Sequence, residues 1–456
     1  MQVPPPATET AAPAPRWRWN RPAVVTVTAL TGINLFNYVD RYVLSALNTK
    51  LELPVEQGGL GLSKEHQGDL YSAFIVVYAL TSPAFGLLGD RYRRMWIIAG
   101  AVALWSVATS SGGLMHSLLT LLIARACTGI GEAAYASITP SVISDVVPAS
   151  ARGRALAYFN AAIPVGAALG FILGGAVADA YGWREAFLVA GVPGLALAVW
   201  ALFIREPVRG AMDPGPPPTR PRLADAARAL WRRAYALPVL GYILQTAGFG
   251  ALGFWAPSYL EQAKGIEPAR ATITFGIVVV ATGLSGTVLG GILGDRWLRR
   301  NPRALMWVCG LSSLAAVPCV ALVVAVRDPA LVWTFVALGS FLLVMSVGPV
   351  NAEIVNALAP NVRATGVAVC TTLIHLLGDV PSVPLIGALT DRLTAAHGVA
   401  GAWERSFLVV PACILGGGLA WCAAALWGGA SARDAATAAA RGPGAEPRRA
   451  PGEGPA

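Results

Sequence analysis

Long apolar stretches alternate with short polar punctuation along this chain of 456 residues. Twelve such stretches stand out, at roughly 23–47, 67–89, 95–115, 118–143, 154–179, 185–204, 237–260, 271–294, 304–326, 331–355, 364–390 and 405–428. Each is near the ~20 residues an α-helix needs to cross a bilayer. The pattern predicts an all-α polytopic membrane protein with twelve transmembrane helices in two six-helix bundles, 23–204 and 237–428. The segment between them, 205–236, is rich in Pro and Arg, and Leu223 to Tyr235 could form a short amphipathic helix on the membrane surface. Residues 1–22 read as a tail, and 429–456, rich in Ala, Gly, Pro and Arg, as a disordered one. The opening MQVPPPATETAAPAP has no basic start followed by a short apolar core, so no cleavable secretory signal is expected.

Composition supports this reading. Only 13% of residues are charged and 55% are hydrophobic, with a mean hydropathy of +0.58. A soluble domain carries about 25% charged residues. Placing the N-terminus in the cytoplasm puts 24 Lys and Arg in inside segments, 8 in outside loops and 2 within spans. The positive-inside rule then fixes both termini in the cytoplasm. The net charge of +9 and pI near 9.5 belong to loops that meet anionic lipid, and no basic stripe lies elsewhere, so no nucleic-acid partner is expected. All six cysteines fall inside apolar stretches without a Cys-x-x-Cys pair, which predicts packing residues rather than a metal site. The 31 Arg against 3 Lys read as genome composition and suggest a bacterial cytoplasmic membrane.

The second stretch closes on Gly86-Leu87-Leu88-Gly89-Asp90-Arg91-Tyr92-Arg93-Arg94. The eighth closes on Gly291-Ile292-Leu293-Gly294-Asp295-Arg296-Trp297-Leu298-Arg299-Arg300. Asp90 and Asp295 are 205 residues apart, Arg152 and Arg363 211, and Asp179 and Asp391 212. Internal duplication of this kind builds many transporters, with the working site between the halves. From the residues alone, such basic loops also serve simply to fix topology. They resemble the loop between spans two and three of the major facilitator superfamily, with Tyr92 where that family usually has Gly. An acid at a helix end can bind the positive N-terminus of another helix. The resemblance implies two cytoplasmic latches. Asp90, with Arg91, would dock near the start of span eleven around Arg363, and Asp295, with Arg296, near the start of span five around Arg152.

Ionisable groups inside a membrane are costly, so each is a site hypothesis. In span one, Asn34, Asn37 or Tyr38, and Arg41 share a polar face, with Asp40 beside them. Span four carries Arg125 and Glu132, seven apart on one face, with Gly129 and Gly131 between them for close helix approach. Counted from the span ends, Asp40, Arg41 and Arg125 lie roughly 11–12 Å below the outer surface and Glu132 about 10 Å deeper. The four are expected to share one water-accessible chamber at two levels. The alternative is a pair of salt bridges that merely lock span one to span four. In the second half, His375 and Asp379 are i, i+4 and share a face. Glu353 and Asn356 read as latch partners or cavity residues.

Asn37-Tyr38-Val39-Asp40-Arg41-Tyr42 and Gly129-Ile130-Gly131-Glu132-Ala133-Ala134-Tyr135 resemble the spinster family, transporters of lysolipids and sphingosine phosphate. So do Ile163-Pro164-Val165-Gly166, Gly182-Trp183-Arg184-Glu185-Ala186-Phe187, Phe254-Trp255-Ala256-Pro257 and His375-Leu376-Leu377-Gly378-Asp379. The resemblance implies a monomeric, proton-coupled transporter with rocking halves. It gives Asp40 and Glu132 the proton-responsive role and Arg41 and Arg125 a substrate or switch role, with Asn37, Tyr38, His375 and Asp379 nearby. The chemistry agrees. Arg offers planar, bidentate recognition of a lipid phosphate, and a carboxylate in low dielectric can alternate between neutral and ionised forms. A small organic anion or drug is the alternative substrate. Absence of a His-x-x-x-His pair, a Gly-x-Ser-x-Gly elbow and any ATP or kinase motif argues against an enzyme or a primary pump, and no cofactor or metal is expected.

Overall fold

The computed structural model describes residues 21–212, 228, 230–358 and 362–428. Among them every long element is an α-helix and no strand occurs. The first bundle holds α1 (Arg21–Glu52), α2 (Lys64–Arg91), α3 (Arg94–Gly112), α4 (Leu118–Val146), α5 (Ala149–Ala180) and α6 (Trp183–Phe203). The second holds α7 (Arg233–Gln262), α8 (Pro268–Leu298), α9 (Ala304–Ala325), α10 (Pro329–Val344), α11 (Val347–Asn356), α12 (Arg363–Ile374), α13 (Val380–Ser406) and α14 (Val409–Trp427). The linker helix expected over Leu223 to Tyr235 and both tails fall largely outside the described residues.

Loop chemistry starts the helices at one end of the molecule. Ser63, Ser117, Glu267 and Asp328 each accept the backbone N–H three residues on, capping α2, α4, α8 and α10. Pro268 and Pro329 follow two of these caps, where a missing N–H does no harm.

Among the described residues, eleven helical stretches are long and apolar enough to cross a membrane. The last, Thr365–Trp427, runs 63 residues. Straight, it would extend about 95 Å, three times a hydrocarbon core of ~30 Å. It is not straight. Gly398 leaves helical geometry at φ 69°, and a turn at Phe407 and Leu408 separates α13 from α14. The two stretches expected at 364–390 and 405–428 therefore run on as one, which accounts for the difference from twelve.

Two other departures have local causes. The tenth stretch, Pro329–Asn356, breaks at Met345 and Ser346 into α10 and α11. Between α12 and α13, His375–Asp379 forms a π-helical turn, with the Val380 N–H donating to the His375 carbonyl. Pro381 follows and has no N–H to give, which weakens the ordinary ladder there.

Packing divides the molecule into a closed end and an opposite end. At the closed end one apolar core runs through both bundles, joining Leu47 and Leu51 of α1, Phe171 of α5, Trp255 and Tyr259 of α7, and Trp403. At the opposite end each bundle has its own core, one around Ile98, Tyr135 and Ile143, the other around Met306, Val350 and Trp421. The closed end is also stitched by polar bonds. Gln262 Nε2 donates to Glu52 Oε2 at 2.7 Å, while Lys64 pairs with Glu52 Oε1. Trp403 Nε1 donates to Gln262 Oε1 at 2.7 Å, and the Glu65 N–H to Asp391 Oδ2 at 2.9 Å. Ser72 Oγ donates to the Val380 carbonyl at 2.7 Å.

Within the first bundle α4 is drawn in by glycine. A Cβ on Gly129 would lie 2.6 Å from the Phe74 carbonyl oxygen, and one on Gly131 2.6 Å from that of Ala101. No real Cβ tolerates such a contact with backbone, so α2 or α3 would have to move. Gly129→Ala is expected to destabilise the protein by about 1–3 kcal/mol, despite its better helix propensity. Thermal unfolding in detergent measures this; an unchanged or raised midpoint would show that α2 and α4 are less closely held.

Candidate functional site

Close approach of α4 to α1 and α2 brings four charged side chains into the middle of the first bundle. Arg41 Nη2 lies 2.6 Å from Glu132 Oε2, and its Nε donates to the same oxygen at 3.2 Å. Arg125 Nη1 lies 3.5 Å from Asp40 Oδ1. Thr109 Oγ1 donates to Asp40 Oδ2 at 2.5 Å and sits 3.4 Å from Thr128 Oγ1. Adjacent residues on a helix point about 100° apart, which is why Asp40 and Arg41 serve different partners.

Between the pairs stands Phe74 of α2, itself fully buried. Its ring lies 5.0 Å from the Arg41 guanidinium and 4.9 Å from that of Arg125. One aromatic ring therefore serves both cations. Arg41 also lies 5.0 Å from the Tyr38 ring and 5.4 Å from that of Tyr78.

The pairs differ in access. The Arg41 side chain is 14% exposed, against 3% for Arg125, 1% for Asp40 and 0% for Glu132. The expected single chamber open to all four is thus corrected: of the four, only the Arg41 side chain keeps appreciable exposure, and Arg125, Asp40 and Glu132 are buried inside the bundle. They differ also in satisfaction. Arg41 is doubly bonded, whereas none of the three Arg125 guanidinium nitrogens has a hydrogen-bond partner among the described residues, and neither has Asp40 Oδ1 or Glu132 Oε1. Asn37 Nδ2 is buried and similarly unpartnered, while Asn34 Nδ2 reaches the Phe159 carbonyl at 3.1 Å.

The second bundle faces this group with the π turn. His375 Nδ1 lies 2.6 Å from Asp379 Oδ2. The Tyr78 ring meets the His375 ring edge-on at 6.1 Å, so Tyr78 touches both Arg41 and the opposing histidine. Tyr38 stacks on Tyr42 at 6.5 Å, and Tyr42 packs on Phe171 at 5.1 Å. Phe74, Tyr78, Thr109 and Thr128 had no place among the sequence candidates. An aromatic i, i+4 pair within an apolar stretch carries no signal by itself; only the folded position of Arg41 gives it meaning.

The loop motif after α2 is held by an arginine outside the expected latch set. Asp90, Arg91, Asp295 and Arg296 are all exposed. Arg209 Nη2 donates to the carbonyls of Gly89 at 2.8 Å and Tyr92 at 2.7 Å, and Arg209 Nη1 to that of Asp90. Arg152 Nη2 donates to the Ser144 carbonyl at 2.8 Å, and Glu353 sits half-buried on α11. Nothing is described of the Arg363 side chain. The buried member of the motif is Arg94, 3% exposed. It bonds Asp145 Oδ2 at 2.5 Å, Glu206 Oε1 at 2.9 Å and the Pro207 carbonyl at 3.0 Å. Acids at the ends of α4 and α6 were its sequence signal.

Two helical bundles joined at one end, with charged pairs buried midway along their helices, define an integral membrane transporter of the major facilitator type. The Major Facilitator Superfamily model matches residues 30–380. Protein spinster homolog 3 of Danio rerio is 33% identical over 423 residues, which is 88% of this chain and 84% of that protein. Protein spinster homolog 1 of Mus musculus is 34% identical over 412 residues, covering 85% and 75%. A bacterial homolog of the human lysosomal transporter Spinster, solved inward-facing and occupied, superposes with a TM-score of 0.78 at 20% identity, over 90% of this chain and 98% of that one. The chain belongs to the spinster family of the Major Facilitator Superfamily. It is a transporter and not an enzyme.

Bond counts separate two buried arginines. Arg94→Leu leaves Asp145 and Glu206 without their cation and is expected to cost about 3–5 kcal/mol. Arg125→Leu deprives one buried carboxylate of its cation rather than two, and Asp40 keeps the Thr109 hydroxyl, so a smaller cost of about 1–3 kcal/mol is expected. Thermal midpoints of the two purified variants test the contrast, and equal losses would contradict it.

Proposed function

We propose that this protein moves an amphipathic, lysophospholipid-like or sphingosine-phosphate-like molecule by alternating access, driven by protons, in a bacterial cytoplasmic membrane. The observation that carries the reading is Arg125: a buried cation whose guanidinium nitrogens make no hydrogen bond among the described residues and whose ion-pair partner, Asp40, stands 3.5 Å away. A buried arginine left in that condition suits an anionic ligand, and a phosphate is a bidentate match for it. Apolar helix faces supply the wall for an acyl chain.

Asp40 and Glu132 are the proton-coupling groups in this reading. Each faces one arginine in the closed-end conformation. A phosphate that reaches Arg125 once Phe74 moves aside competes with Asp40 for the same cation, and a carboxylate that loses its cation in low dielectric takes up a proton. Arg41 extends the effect to Glu132, and through Tyr78 to His375 and Asp379 in the other bundle. Asn37 and Tyr38 sit beside this path as substrate contacts.

The working cycle is taken to have twelve crossings, both termini in the cytoplasm, and a single chain as the unit. The positive-inside count supports that orientation, which makes the closed end the outer one and the present conformation inward-facing. Asp90 with Arg91 and Arg363, and Asp295 with Arg296, Arg152 and Glu353, would latch the opposite end in the alternate state.

In vesicles with an imposed pH gradient, Asp40→Asn and Glu132→Gln should each abolish the pH dependence of lysolipid uptake. Retention of that dependence in both removes the coupling assignment. Competition by soluble organic anions, with lysolipids inert, would replace the lipid substrate with the small-anion one. Loosening the closed end should favour the alternate state. Gln262→Leu with Asp391→Asn is expected to raise labelling of a cysteine placed at Thr49 by an impermeant reagent, several-fold for ~1 kcal/mol of lost bonding. Unchanged labelling would mean that the apolar core alone holds the end shut.

A further inference from the structure

A second amphipathic feature lies on the outside of the first bundle, away from the translocation path. The seam between α3 and α4 opens into a groove of about 290 Å³. Its floor is made of small side chains, Ala108, Ala124 and Cys127, and its walls of Leu104, Val107 and Ile123. Floor and walls follow one rule of spacing: residues three and four apart on a helix share a face. Ala108 and Ala124 are 5% and 7% exposed, whereas Val107 and Ile123 are each 56% exposed. The groove is therefore cut into a face that meets lipid tails, and it is deep because the residues at its base are short.

Beyond one end of the groove lies a basic pair. Met115 lines the groove, and His116, which is exposed, comes next in the chain. Arg184 Nη2 lies 3.3 Å from His116 Nδ1, while Arg184 Nη1 donates to the Gly58 carbonyl at 3.4 Å and the guanidinium rests 4.1 Å above the buried Trp183 ring. An apolar slot with a cation beyond its end matches a lipid lengthwise.

We propose that this seam binds one anionic phospholipid of the surrounding leaflet, with an acyl chain in the groove and its phosphate on Arg184 and His116. The occupant is a bilayer lipid because the groove opens sideways from the bundle surface and shares no residue with the charged pairs. The floor nonetheless backs onto them. Ala108 precedes Thr109, whose hydroxyl holds Asp40, and Ala124 precedes Arg125. A resident chain would thus brace the two helix turns that position the Asp40 and Arg125 pair.

The test uses the full chain in phosphatidylcholine vesicles with a trace of phosphatidylglycerol bearing a photoactivatable acyl chain. Peptides containing 104–111 and 120–127 should be labelled about fivefold more than the lipid-exposed face of α14 at Leu415 and Leu419. Unlabelled phosphatidylglycerol should suppress that excess and added phosphatidylcholine should not. Ala108→Phe fills the floor and should abolish the excess. Should that variant not fold, His116→Gln with Arg184→Gln tests the head contact instead, and should remove the preference for phosphatidylglycerol. Seam labelling equal to that of α14, or excess labelling suppressed equally by both lipids, overturns the proposal.

Discussion

A charge buried in a membrane protein must meet its opposite, or the chain will not hold it there. That requirement organises the first bundle. Arg41 takes Glu132 and Arg125 takes Asp40, and each bond ties α1 to α4. The glycines of α4 set it close against α2 and α3, and the long arginine side chains span the distance between α1 and α4. Phe74 then stands within 5.0 Å of both guanidinium groups. The two ion pairs are unequal by construction. One is partly exposed at its arginine, which makes two hydrogen bonds to Glu132; the other is buried at both partners, and its arginine makes none among the described residues.

The same inequality extends to the whole molecule. Aromatic and aliphatic side chains from both bundles merge at the closed end, where Tyr259 stacks on Phe407 at 4.2 Å and Trp255 meets Trp403 at 5.4 Å. At the opposite end the cores are separate. A transporter that opens alternately needs each end to be held by interactions that can be given up. Here the polar bonds that cross, from Gln262 to Glu52, from the Glu65 N–H to Asp391 and from Ser72 to the Val380 carbonyl, join α1 and α2 to α7 and α13, so separation of the bundles breaks them together.

Much of this was legible in the chain. Hydropathy and length located the crossings to within a few residues, because the bilayer imposes a nearly fixed helix length. Intramembrane Asp40, Arg41, Arg125 and Glu132 stood out because such residues are rare there, and helical spacing put Arg125 and Glu132 on one face. What the spacing could not give was the pairing. Depth estimates set Arg41 level with Arg125, yet Arg41 reaches about a turn or more along α4 to Glu132, since a long guanidinium side chain spans that distance. Phe74 and Tyr78 were invisible because an aromatic in an apolar stretch looks like any other packing residue. Arg94 was masked by its neighbours: the motif drew attention to Asp90, while the buried bonds went to the arginine four residues later.

The π turn at His375–Asp379 has a geometric consequence of its own. One surplus residue in a helix rotates everything beyond it by about 100° relative to an uninterrupted spiral. Span eleven therefore presents two different stripes to its surroundings, one before Ile374 and another after Val380. Were the surplus passed along the helix by a single residue, the imidazole would swing off the first bundle while both flanking segments kept their places. The segment carrying His375 thus has a built-in means of turning that side chain without translating the helix.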